Sequence, residues 1–148
     1  MPPQLRYPGS EVAVVGALYP TIATSASSVA SNRVQMGDFH AYMAVISVGS
    51  ISTTLTGRIL KYDVATGGTG EVVAGTEITA ITGTGDNRSV VIEFDGEQFD
   101  TSFRWFELEL EPTTSGSSIV SGLILGVFPR YDAAFESQSG DVAERIVV

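Results

Sequence analysis

Residues 103–112 read FRWFELELEP. Phe106, Leu108 and Leu110 alternate with Trp105, Glu107, Glu109 and Glu111. A period of two is the signature of a β-strand with one apolar and one acidic face. The spacing also raises a chemical question. Side chains two apart on a strand sit roughly 6.5–7 Å apart on one side, within the ~5–9.5 Å range of glycosidase carboxylate pairs. Every such pair on every strand shares that spacing, however. A glycosidase holds its acids on opposite sides of a sugar, in a cleft lined by aromatic rings, and Trp105 is the only aromatic on this acidic face. We therefore read Glu107, Glu109 and Glu111 as the solvated side of a strand. Catalysis by Glu107 and Glu109 stays as the contrasting hypothesis.

The same alternation recurs just upstream. In RSVVIEFD, 88–95, Val90, Ile92 and Phe94 face one way and Val91, Glu93 and Asp95 the other. Two successive strands of this kind predict a half-exposed antiparallel pair. FHAYMAVISV, 39–48, is apolar on both faces, as a strand buried on two sides would be. STTLTGRILKYDV, 52–64, reads as a strand, and EVVAGTEITAI, 71–81, as one or two short ones. SSIVSGLILGVFPRY, 117–131, is the most apolar run and predicts a central strand whose pairing Pro129 ends. Residues 65–71 and 82–87 are glycine-rich turns.

These seven or eight short strands, with no convincing amphipathic helix, predict an all-β fold: an antiparallel β-sandwich or jelly roll. Residues 1–32 read as an extended N-terminal arm with a possible first strand at 11–18, because TIATSASSVASN shows no period. The sandwich domain is expected over 33–134 and a C-terminal tail over 135–148, ending in RIVV, which could add a strand to a neighbour.

Composition narrows the function. The chain has 148 residues, 43% of them apolar, enough for one domain with a core. Lys61 is the one lysine beside seven arginines, against 17 acidic residues, for a net charge of −9. Such a surface repels phosphate backbones and anionic bilayers, so neither nucleic acid nor membrane is expected as a partner. No run approaches the ~20 apolar residues that span a bilayer, and the proline-interrupted N-terminus lacks the basic leader of a signal peptide.

Cysteine is absent, which removes thiolate chemistry and Cys-ligated zinc. His40 is the one histidine, in an apolar strand with no GxSxG elbow elsewhere, so a Ser-His-Asp triad is not expected. The glycine loops lack both GxGxxG and a P-loop lysine. Asp86 with Asn87, or Asp63 with Glu71, could contribute to a calcium site, but without EF-hand spacing. Asn87-Arg88-Ser89 matches a glycosylation sequon that we read as chance. We expect no enzyme, no catalytic residue, no cofactor and no metal. The residues singled out as partner contacts are Trp105, Arg104, Arg130 and Tyr131. Trp105 either packs under a loop or anchors a partner.

Three segments carry a resemblance: GDFHAYMAVISVGSISTTLTGRILKYDVATGGTGEVVAG (37–75), DNRSVVIEFDGEQFDTSFRWFELELEP (86–112) and SSIVSGLILGVFPRYDAA (117–134). Together they resemble small structural proteins of tailed bacteriophages, of the capsid decoration or cement kind. The longer N-terminal region and the ERIVV ending depart from that pattern. The resemblance implies a virion protein, made in the host cytoplasm, that binds the outer capsid surface. Its partner would be the major capsid protein, and it would act as a homo-oligomer, commonly a trimer. Other readings place it in the tail, neck or a head fibre, or make it a carbohydrate-binding sandwich with Trp105, Tyr42 or Tyr62 as a stacking platform.

Overall fold

The computed structural model describes residues 11–24, 27–52, 54–81, 87–96, 99, 102–113 and 116–130, with the side chains of 79 and 80 left aside. They form ten strands: β1 Val12–Thr24, β2 Val29–Ala30, β3 Val34–Gln35, β4 Phe39–Ile51, β5 Leu55–Tyr62, β6 Glu71–Val72, β7 Ile78–Ile81, β8 Arg88–Asp95, β9 Trp105–Pro112 and β10 Ser117–Pro129. All pairing between strands is antiparallel. One sheet has the order β1-β10-β4-β8. In the other, β2 and β3 both pair with β9, β9 with β5, and β5 with β6 and β7. The predicted all-β sandwich is therefore the observed architecture.

The alternation read in β8 and β9 sets their inner faces. Phe106, Leu108 and Leu110 are fully buried and Ile92 and Phe94 are buried, while Val91, Glu93 and Asp95 point out. The predicted pairing of these two strands does not occur. β8 pairs with β4 and β9 with β5, so they lie in opposite sheets. The reason is in the core: their apolar faces meet across the sandwich, Phe94 standing edge-on to Phe106 with ring centroids 5.1 Å apart. Tyr42 from β4 completes the cluster, 4.8 Å from Phe106 and 5.7 Å from Phe94. Offset and edge-on contacts of this kind add to simple area burial.

The expected arm boundary also moves. Val12–Thr24 is one continuous strand along β10, and Ala13, Leu18 and Ala23 are core residues. The body thus begins at β1 rather than at residue 33. Of the Ser/Thr/Ala stretch, Thr21–Thr24 belong to β1, and two register shifts, between Val14 and Gly16 and between Leu18 and Thr21, interrupt the strand. Asn32 holds the first of these, its Oδ1 accepting from Ala17 N at 2.8 Å. Residues 1–10 and 131–148, including the expected tail and Tyr131, lie outside the described residues.

β10 is central, as expected, between β1 and β4. Its inward positions include Gly122 and Gly126, both buried. A Cβ on Gly126 would lie 2.5 Å from the Phe39 ring, and one on Gly122 3.0 Å from Leu108 Cδ2. These bare positions are notches into which core side chains fit. β4 is buried on one face only. Tyr42, Ala44, Ile46 and Val48 point inward, but Ala41, Met43 and Val45 remain partly accessible. The prediction of two-sided burial is corrected accordingly: no second layer covers the outer side of this sheet among the described residues.

Candidate partner-binding surfaces

The two outer faces of the sandwich differ in kind. On the second sheet, β5 and β9 run in a register that sets Arg58 opposite Glu109 and Thr56 opposite Glu111. Glu109 accepts from Arg58 Nε at 2.8 Å and from Ser28 Oγ at 3.4 Å. Glu111 accepts from Arg58 Nη2 at 3.4 Å. Glu107 accepts from the Tyr62 hydroxyl at 2.6 Å and from Arg33 Nε at 3.3 Å. The three glutamates are therefore ion-paired, not freely solvated as expected. They lie along a sheet face and do not oppose one another across a cleft.

Arg33 is the organiser that sequence reasoning missed. Its guanidinium lies 3.4 Å above the Tyr62 ring and donates to Val64 O at 3.0 Å and Gly67 O at 2.7 Å. It thus pins the glycine-rich 63–70 loop to β9. Burial pushes the Tyr62 phenol up to about 12, helped by its hydrogen bond to the Glu107 carboxylate and by that charge. Tyr62 under Arg33 and Tyr42 in the core are both buried, so neither offers a ring to a sugar.

The predicted contact residues separate. Trp105 opens β9, half-buried between its register partners Gln35 of β3 and Tyr62 of β5. Arg104 and Arg130 are exposed and come together on the rim of one open cleft of about 390 Å³, with Met36, Phe99 and Phe103 among its walls. Backbone bonds fix their positions. Arg104 N donates to Tyr62 O at 3.0 Å, and Arg130 N donates to Asp38 O at 2.9 Å. Neither guanidinium forms an ion pair with a described carboxylate. Lys61 adds a third cation nearby, its Nζ 4.2 Å from the Phe103 ring centre.

On the first sheet the outer face is apolar. The register lines up Val12, Val127, Ala41 and Asp95 as one row, Val14, Leu125, Met43 and Glu93 as a second, and Ala17, Leu123, Val45 and Val91 as a third. Leu123 and Val91 are about half exposed. Phe128 is exposed at one end of this face with φ 57°. A bulky residue in that left-handed region is a backbone outlier of the kind found at functional surfaces. The signal for this face was present in the sequence, in two runs apolar at both parities, 39–48 and 119–128.

His40 is exposed at the start of β4. Asn87, first residue of the sequon, sits in the turn before β8 at φ 56°. Glu71 faces Lys61 at 3.9 Å, and Asp86 lies outside the described residues. Among the described residues, no group of three His, Asp or Glu side chains is placed to hold a metal ion. No protein-family model matches the chain, and no curated protein is found similar to it.

Proposed function

We propose that this protein is a structural component of a bacteriophage particle, a cement protein that binds the outer capsid surface and bridges neighbouring capsomers. The observation that carries this reading is the Arg104–Arg130 cleft. In a protein of net charge −9, two cations with no ion-pair partner among the described residues frame a wall of Phe99, Phe103 and Met36. Arginine beside aromatic and methionine surface is the composition of protein-interface hot spots. Its chemistry suits an acidic segment of a shell subunit, with carboxylates on the guanidinium forks and apolar side chains between them. The resemblance of residues 37–134 to phage decoration proteins supports the same reading. A lattice of many copies would convert modest single contacts into firm attachment.

The test is co-sedimentation with shells of the major capsid protein of the same phage. The wild type should pellet with the shells, and the double variant Arg104→Glu/Arg130→Glu should stay in the supernatant while keeping its thermal transition. A wild type that never pellets with shells would sink the proposal.

A further inference from the structure

The outer face of the first sheet raises a separate question, independent of the shell. Three rows across β1, β10 and β4 carry only aliphatic side chains and methionine, and charge enters solely at the β8 edge through Glu93 and Asp95. Beyond a row of Ser121, Ser47 and Ser89, Ile22 pairs with Ile119, and both are exposed. Tyr19, Ile22, Val91, Ile119, Leu123 and Phe128 are 46% to 62% accessible. With the half-buried Val12, Val14, Met43, Val45, Leu125 and Val127 they make an apolar face of the kind that marks an interaction site rather than scattered surface hydrophobes.

We infer that this face is covered by the same face of a second copy, forming a two-fold dimer. The shape is self-complementary. Leu123, 46% exposed, rises from the wall of an open groove of about 420 Å³ that it lines together with Val14, Ala17, Tyr19 and Val45. Knob and groove on one surface are what an isologous contact requires, each copy seating its leucine in the other. A two-fold axis along the strands stacks β10 over the β4 of the second copy and sets Leu123 above its Val45. It also carries each acidic β8 edge over the other copy's β1, so the two Glu93–Asp95 corners stay apart. The stack then has the spacing of an ordinary sheet-on-sheet packing, about 10 Å. A flat face that matches itself closes a pair, not the trimer that the family resemblance implies.

The test is solution mass by light scattering and sedimentation at micromolar concentrations. The wild type is expected as a dimer. Leu123→Glu and Val45→Lys should each give a folded monomer, with association weakened at least 100-fold, and mixing the two variants should restore a dimer through the new Glu–Lys contact. Near-ultraviolet circular dichroism checks that each variant keeps its core. The wild-type mass decides the matter even if a variant fails to fold. A wild-type monomer, a trimer, or a dimer that survives both substitutions overturns the inference.

Discussion

Tyr62 sits at a junction of three interactions: its ring lies under the Arg33 guanidinium, its hydroxyl donates to Glu107 at 2.6 Å, and its carbonyl accepts from Arg104 N. The phenol is held neutral first by burial, and then because ionising it would break its hydrogen bond to Glu107 and place a second negative charge against that carboxylate. The linkage has a definite sign. The folded state binds the proton more tightly than the unfolded one, whose phenol titrates near the usual 10. The stabilisation is therefore full below pH 10 and is lost as pH rises towards 12. Tyr62→Phe should cost about 1.5 kcal/mol at neutral pH through the lost charge-assisted hydrogen bond. That gap should narrow between pH 10 and 12, read as urea midpoints of the two proteins across the alkaline range. A gap that stays constant would mean the hydroxyl is not coupled to Glu107. Arg58, with two glutamates to satisfy, matters less, since exposed pairs contribute at most about 1 kcal/mol.

At the scale of elements, β2 and β3 are two short pieces of one interrupted edge along β9. The gap is bridged by Ser31. Its N donates to Leu108 O at 2.9 Å, and its Oγ accepts from Leu108 N at 3.0 Å, so a side chain stands in for the missing ladder bond. Ser31→Ala leaves a buried N–H in the middle of β9 without a partner and should destabilise by about 1–3 kcal/mol, measured as a drop in chemical-denaturation midpoint at unchanged slope. β1 makes a stronger claim. A chain begun at Arg33 would strip Ile124 and Val120 of their cover and open the β10 edge. It should show no cooperative thermal transition. A truncated chain that still melts cooperatively would restore the arm reading. This boundary was hidden because pairing by small residues leaves no hydrophobic rhythm; Ala23 is fully buried yet looks like loop composition. The faces of β8 and β9 were legible because side-chain alternation is local. Their partners were not, since which strand lies alongside is decided by contacts distant in sequence. For the same reason nothing in the chain order announces that Arg104, entering one sheet, and Arg130, leaving the other, share a cleft.

Taken whole, the molecule has one outer face closed by ion pairs and another left apolar, with an arginine cleft beside them. The two proposed contacts should answer salt in opposite ways. Attachment through Arg104 and Arg130 weakens as ionic strength rises, because exposed charges are screened within about 10 Å at 0.1 M. Pairing through the first sheet strengthens, because screening relieves the repulsion between two copies of charge −9 and salting-out ions favour apolar burial. Titrating sodium sulfate against shell binding and against dimer mass separates the two; parallel responses would argue that one surface serves both. A further consequence follows from the notches in β10. With greasy residues on either side of that strand, sliding it by one position would expose hardly more oil to water than the native alignment does, so hydrophobicity cannot choose between them. What forbids the slide is bulk: Leu125 or Leu123 would have to occupy space that the Phe39 ring and Leu108 already fill. Gly126→Ala should accordingly do more than crowd the interior. It should erode the alignment itself and yield a mixture of misaligned, aggregation-prone forms in place of a single weakened one, visible as doubled amide resonances from β10 and β4.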